Sequence, residues 1–144
     1  MVKVEPRSGL RLRTISGVDP EVRRSCIEFA KWLRKNMDFP IRIVIYLKKD
    51  YQVKNLTTKE LVSATFFAPN DKKVESYIKI ATGDYQELLE ELGTDNALAS
   101  ILNSIAHELI HYQQWLKDEN FDEIKAVKKA EQLIDQYAET RDHP

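Results

Sequence analysis

Between Leu98 and Leu116 apolar side chains return every third or fourth residue, at Leu98, Ile101, Leu102, Ile105, Leu109, Tyr112 and Leu116. That stripe predicts one long amphipathic helix, capped by Thr94 or Asp95, and any fold of the chain must cover its apolar side. Within it stands His107-Glu108-Leu109-Ile110-His111. Histidines four apart differ by about 40° around a helix axis and by one turn along it, so both imidazoles reach a single ion. Glu108 lies about 100° from His107, beside such an ion rather than on it, where a carboxylate serves as a base towards metal-bound water. The chain has only three histidines in 144 residues, and shuffling them reproduces this spacing with the glutamate in roughly four of a thousand cases. The plainer alternative is a histidine pair on an ordinary helix. The two flank the apolar stripe, however, so Ile105 and Leu109 can hold the helix down while the imidazoles face a cleft.

A catalytic zinc site takes three protein ligands and keeps one position open. Cys26 is the sole cysteine, which excludes an intrachain disulfide and a thiolate cluster and reads as a buried thiol. His143 stands next to the chain end, where order is usually lost. Among the carboxylates, Glu131 follows His111 by twenty residues (131 − 111), enough for one helix to end and a second, from about Asp122 to Thr140, to return. On that second helix Ile124, Val127, Ala130, Ile134 and Tyr137 are expected to face inward, and Glu131 borders them between Val127 and Ile134. Glu139 sits among Asp135, Gln136 and Asp142 and reads as solvated. Asp135, one turn beyond Glu131, suits either an acceptor for the second N–H of a ligand imidazole or a plain helix-surface aspartate.

Upstream, Asp19-Pro20-Glu21 reads as cap, first helical residue and acidic first turn of a helix from about Pro20 to Asn36, with Val22, Cys26, Phe29, Ala30 and Leu33 inward. Strict alternation over residues 41–48 predicts a half-buried strand. Leu61 to Phe67 and Val74 to Ala81 are two more β-rich runs, joined by the turn residues Pro69-Asn70-Asp71-Lys72. A short helix, Asp84 to Leu92, ends at Gly93. Helix, strands, then helices make an α+β chain of one domain, residues 1–144, in which residues 1–18 are expected to be partly flexible. The 22 basic and 23 acidic residues leave a charge of −1 with no long block of either sign, so neither nucleic acid nor a membrane is expected as a partner. No signal-peptide core and no apolar run long enough for a membrane span is present, and a cytoplasmic setting is expected.

His107-Glu108-x-x-His111 followed by Glu131-x-x-x-Asp135 resembles the gluzincin metallopeptidases, the thermolysin-like group. Ser63-Ala64-Thr65-Phe66-Phe67 and Tyr77-Ile78-Lys79-Ile80-Ala81-Thr82-Gly83-Asp84 look like the edge strand and inner strand that precede the active-site helix there. In size the chain is similar to the minigluzincins. This resemblance implies a zincin-like domain with a backing helix, a small twisted mixed sheet, an active-site helix and a glutamate helix. It implies zinc held by His107, His111 and Glu131, Asp135 behind a ligand histidine, and Glu108 as general base of peptide hydrolysis. A peptide or protein substrate would lie along Ala64, Thr65, Phe66 and Phe67. The second subdomain, which carries a transition-state-stabilising histidine in that group, has no counterpart here. Tyr112, Tyr137 and His143 are the candidates for its role, and His143 in the tail 141–144 is also placed to plug the open zinc position. A metal-bearing regulatory or interaction domain with little turnover is the alternative function, and a purely structural zinc domain a weaker third reading.

Overall fold

The computed structural model describes residues 7–144. In chain order the elements are β1 (Leu10–Thr14), α1 (Pro20–Asn36), β2 (Ile43–Lys48), β3 (Val53–Lys54), β4 (Leu61–Val62), β5 (Ala64–Phe67), β6 (Ser76–Ala81), α2 (Tyr85–Leu92), α3 (Thr94–Leu116) and α4 (Glu123–Ala138). The alternation at 41–48 becomes β2, which pairs in parallel with β1 on one side and β6 on the other. β5 closes the sheet antiparallel to β6, giving the lateral order β1-β2-β6-β5. The fold is α+β with a small mixed sheet.

Register decides where the core lies. Leu10, Ile43 and Ser76 align across the sheet, as do Leu12, Ile45, Ile78 and Phe66, so the large aliphatic residues share one face. α1 and α3 cover that face and enclose a continuous apolar core with it. α1 matches its expected bounds: Asp19 accepts a hydrogen bond from the Glu21 N–H at 2.9 Å, Pro20 sits in the first turn, and the five expected residues are buried. No helix among the described residues is long and apolar enough to cross a membrane.

One local expectation gains a detail and two are corrected. Within the segment expected to be partly flexible, Leu10–Thr14 is a strand, because Leu10 and Leu12 alternate with Arg11 and Arg13 and β2 supplies a partner; residues 1–6 lie outside the described part. The run Leu61 to Phe67 is broken at Ser63, Leu61–Val62 pairing with β3 while Ala64–Phe67 forms the expected hairpin with β6. The inner face of α4 is rotated. Ala126, Ala130 and Tyr137 are buried, whereas Ile124 is 85% exposed and Val127 is exposed as well. α4 lies against α3 through small side chains, which let two helix backbones approach closely.

Candidate metal centre

The rotation of α4 selects the third member of the site. Three residues back from Ala126 on a 3.6-residue period lies Glu123, in the first turn of α4 and at the exposed border of its buried stripe. Its carboxylate meets both histidines of α3: Oε2 is 3.0 Å from His107 Nε2 and Oε1 is 2.6 Å from His111 Nε2. His107, His111 and Glu123 are the group whose ligand atoms all fall within 4.8 Å of one another among the described residues. Glu131, the expected third ligand, is exposed and outside this group, because it sits on the solvent side of the rotated helix.

Two turns of chain make this convergence. α3 ends in a Schellman motif: the Asp118 N–H bonds the Trp115 carbonyl at 3.2 Å and the Glu119 N–H bonds the Gln114 carbonyl at 2.9 Å, with Asp118 in the left-handed region at φ 56°. Asp122 then caps α4 by accepting the Lys125 N–H at 3.0 Å. Gln114 joins the two helices. It is 3% exposed, and its Oε1 accepts from the His111 Nδ1–H at 2.9 Å and from the Asp122 N–H at 3.3 Å, while its Nε2 donates to the Asp122 carbonyl at 3.3 Å.

Those bonds favour the tautomer of His111 with its proton on Nδ1. With Gln114 Oε1 as acceptor, Nδ1 carries the hydrogen and the Nε2 lone pair is turned towards the Glu123 carboxylate. A ring nitrogen lone pair facing a carboxylate at 2.6 Å is the arrangement that a metal ion between them would bridge. Two imidazoles and one carboxylate are also the donor set of catalytic metal sites with an open position, so the residues fit a metal ion. Gln114 thus takes the orienting part expected of Asp135, which is exposed on α4 with no contact to either ring.

A cleft of about 280 Å³ opens over the group, lined by Asn55, Ala64, Thr65, Phe66, His107, Glu108, His111, Phe121 and Glu123. Burial pushes the Glu108 carboxyl up to about 7; the Glu123 charge adds to this and His111 opposes it. Phe121 covers one side of the His111 ring, with centroids 4.9 Å apart. Asn55, which no sequence signal marked, reaches the cleft from the turn between β3 and β4. Its Oδ1 accepts the N–H groups of Thr57 at 2.9 Å and Thr58 at 3.1 Å, which leaves Nδ2 as a donor without a partner among the described residues.

β5 forms the edge of the sheet beside this cleft. The Ala81 N–H bonds the Ser63 carbonyl at 2.8 Å, which sets the phase of the antiparallel ladder. Thr65 and Phe67 therefore bond to β6, while the main-chain groups of Ala64 and Phe66 point to the free edge. The Phe67 ring lies away from the cleft, stacked on Tyr77.

None of the expected transition-state candidates lines the cleft. The Tyr112 hydroxyl donates to the Ile41 carbonyl, and its ring is fully buried against Phe39 and Phe66. Tyr137 is buried against Phe29 and Trp32. His143 bonds Asp95 at 2.8 Å, and that hydrogen bond raises its pKa. Asp95 lies twelve residues before His107, roughly 18 Å along α3, so the tail is docked away from the centre rather than plugging it. No known family matches the chain, and no curated protein or solved structure is significantly similar to it.

Proposed function

We propose that the chain is a zinc-dependent peptidase in which His107, His111 and Glu123 hold the ion and Glu108 is the general base. The observation that carries this reading is the convergence of two ring nitrogens and a carboxylate beside a half-buried Glu108 in an open cleft. A purely structural ion has no use for a second, non-ligand carboxyl raised towards neutrality. The bound ion would supply Lewis acidity, acidifying water and polarising the carbonyl to be attacked. Glu108 accepts the water's proton and passes it to the leaving amine; a base with a pKa near working pH is suited to both transfers. An extended peptide pairs with the outward main-chain groups of Ala64 and Phe66. Asn55 Nδ2 donates to a substrate carbonyl from beside β5. The zincin-like arrangement belongs to the same proposal: α1 backs the sheet, α3 carries the histidines, and α4 carries the glutamate, twelve rather than twenty residues after His111 (123 − 111).

Glu108→Gln tests it. The variant should retain the metal and its melting temperature yet lose a factor of about 10² to 10⁴ in activity, because an amide has nearly the same shape but cannot accept the proton. The measurement is cleavage of an unbiased peptide library by zinc-loaded protein, with metal content assayed in parallel. Equal inertness of wild type and variant would favour a second reading, a metal-bearing interaction domain. Phe121, Ile124 and Val127, exposed by 50%, 85% and 47% in and just after the connection that brings Glu123 to the histidines, support that alternative.

A further inference from the structure

The sheet has a second face, opposite to α1 and α3, flanked on its β5 side by the β3–β4 turn, where Asn55 to Thr57 border Thr65, Phe67 and Tyr77. Register places Arg11, Val44, Tyr77 and Phe67 in one row across the four strands, and Arg13, Tyr46, Lys79 and Thr65 in the next, with Lys48 following on β2. Val44 and Thr65 are buried, Arg11 and Arg13 are exposed, and the three aromatic rings and two lysines are half-buried. The rings form a chain: Tyr46 meets Tyr77 edge-on at 6.1 Å, and Tyr77 stacks on Phe67 at 5.0 Å. Lys48 Nζ lies 5.7 Å from the Tyr46 ring and Lys79 Nζ 5.4 Å from that of Tyr77. The strands LRLRT, IVIYLK, ATFF and SYIKIA contain no acidic residue, although the chain as a whole carries 23. Four cations and three rings are thus gathered on one surface of a chain whose net charge is −1.

We propose that this face binds single-stranded nucleic acid, its rings stacking on bases and Arg11, Arg13, Lys48 and Lys79 holding phosphates. Strands about 4.8 Å apart, with same-face residues about 6.8 Å apart along each, give a patch roughly 14 Å on a side, room for two or three nucleotides. Flat π-faces alternating with anions are the chemistry that complements rings alternating with cations. A duplex offers this surface its phosphates but hides its bases, and an anionic membrane engages the cations and leaves the rings unused. On binding, a base replaces the lysine over Tyr46 and over Tyr77, and each lysine moves to a phosphate. The four cations come from segments spread between residues 11 and 79, so only the sheet brings them together.

The experiment is fluorescence anisotropy of labelled oligo-rU and oligo-dT, each about twelve nucleotides, titrated with the full chain. Unlabelled duplex, heparin and vesicles containing phosphatidylserine are the competitors. Wild type should bind at least one oligonucleotide, about tenfold or more weakly on going from about 50 to about 200 mM salt. The tighter of the two identifies RNA or DNA as the source. Lys48→Glu with Lys79→Glu should abolish binding, and Tyr46→Leu, which keeps an apolar side chain, should weaken it about fivefold through lost stacking. Glu108→Gln should bind like wild type, which separates this surface from the proposed peptidase centre. The proposal is overturned if neither oligonucleotide binds up to about 100 μM, if heparin or vesicles bind better, or if Tyr46→Leu binds as tightly as wild type at an unchanged melting temperature.

Discussion

Glu123 and Glu131 lie on one helix eight positions apart, about 80° around its axis, and that angle separates a member of the site from a solvated side chain. The H-E-x-x-H spacing made His107, Glu108 and His111 legible in the sequence, because helix geometry alone brings them together. The third member was not legible by the same means. Choosing the inner face of α4 by its largest apolar residues favours Ile124 and Val127, but the crossing with α3 requires small ones, and the stripe Ala126, Ala130, Tyr137 points back to Glu123. Glu123→Ala should weaken zinc binding by more than about a hundredfold and Glu131→Ala should leave it unchanged, as measured by competition with a chromogenic chelator. Gln114 left no signal either, since its role depends on the turn that returns α4 to His111. Gln114→Leu should cost about ten- to a hundredfold in zinc affinity, the usual scale for removing a partner that orients a ligand imidazole. Equal affinities for wild type and Gln114→Leu would show that His111 is oriented without it.

At the scale of elements, α1 was readable to its ends because cap, proline and apolar period agree locally, whereas β1 was not because a five-residue strand is defined by its neighbour β2. The α3–α4 connection is the element on which the centre depends, and its strained point is Asp118 at φ 56°. A β-branched residue tolerates that conformation poorly, so Asp118→Val should destabilise the protein by about 1 to 2 kcal/mol. Part of that loss belongs to the exposed Lys72–Asp118 ion pair at 2.7 Å, worth at most about 1 kcal/mol. Urea denaturation of Asp118→Val alongside Asp118→Asn, which loses the ion pair but tolerates the left-handed conformation, separates the two: equal midpoints for both variants would assign the whole effect to the ion pair.

At the scale of the whole molecule, the sheet, α1 and α3 share one core, to which α4 adds only Ala130 and Tyr137, with Leu133 and Ile134 packed against it. The sequence conveyed the α+β class through its periods of two and 3.6, but not how unevenly the parts are secured. With two of the proposed ligands on α3 and the third on α4, an ion at the centre would tie the last helix to the most deeply buried one. Removing it should therefore speed amide hydrogen exchange along α4 while leaving β2 and β6 protected, by a factor that grows with the free zinc concentration relative to its dissociation constant. Hydrogen-exchange mass spectrometry with and without a chelator measures this, and uniform acceleration across all elements would contradict it. Glu123→Ala should exchange like the chelated wild type even in excess zinc. The centre would then act as a thermodynamic latch: metal supply to the cell would set how much of the time the last helix is closed, and with it how long the chain survives the proteases around it.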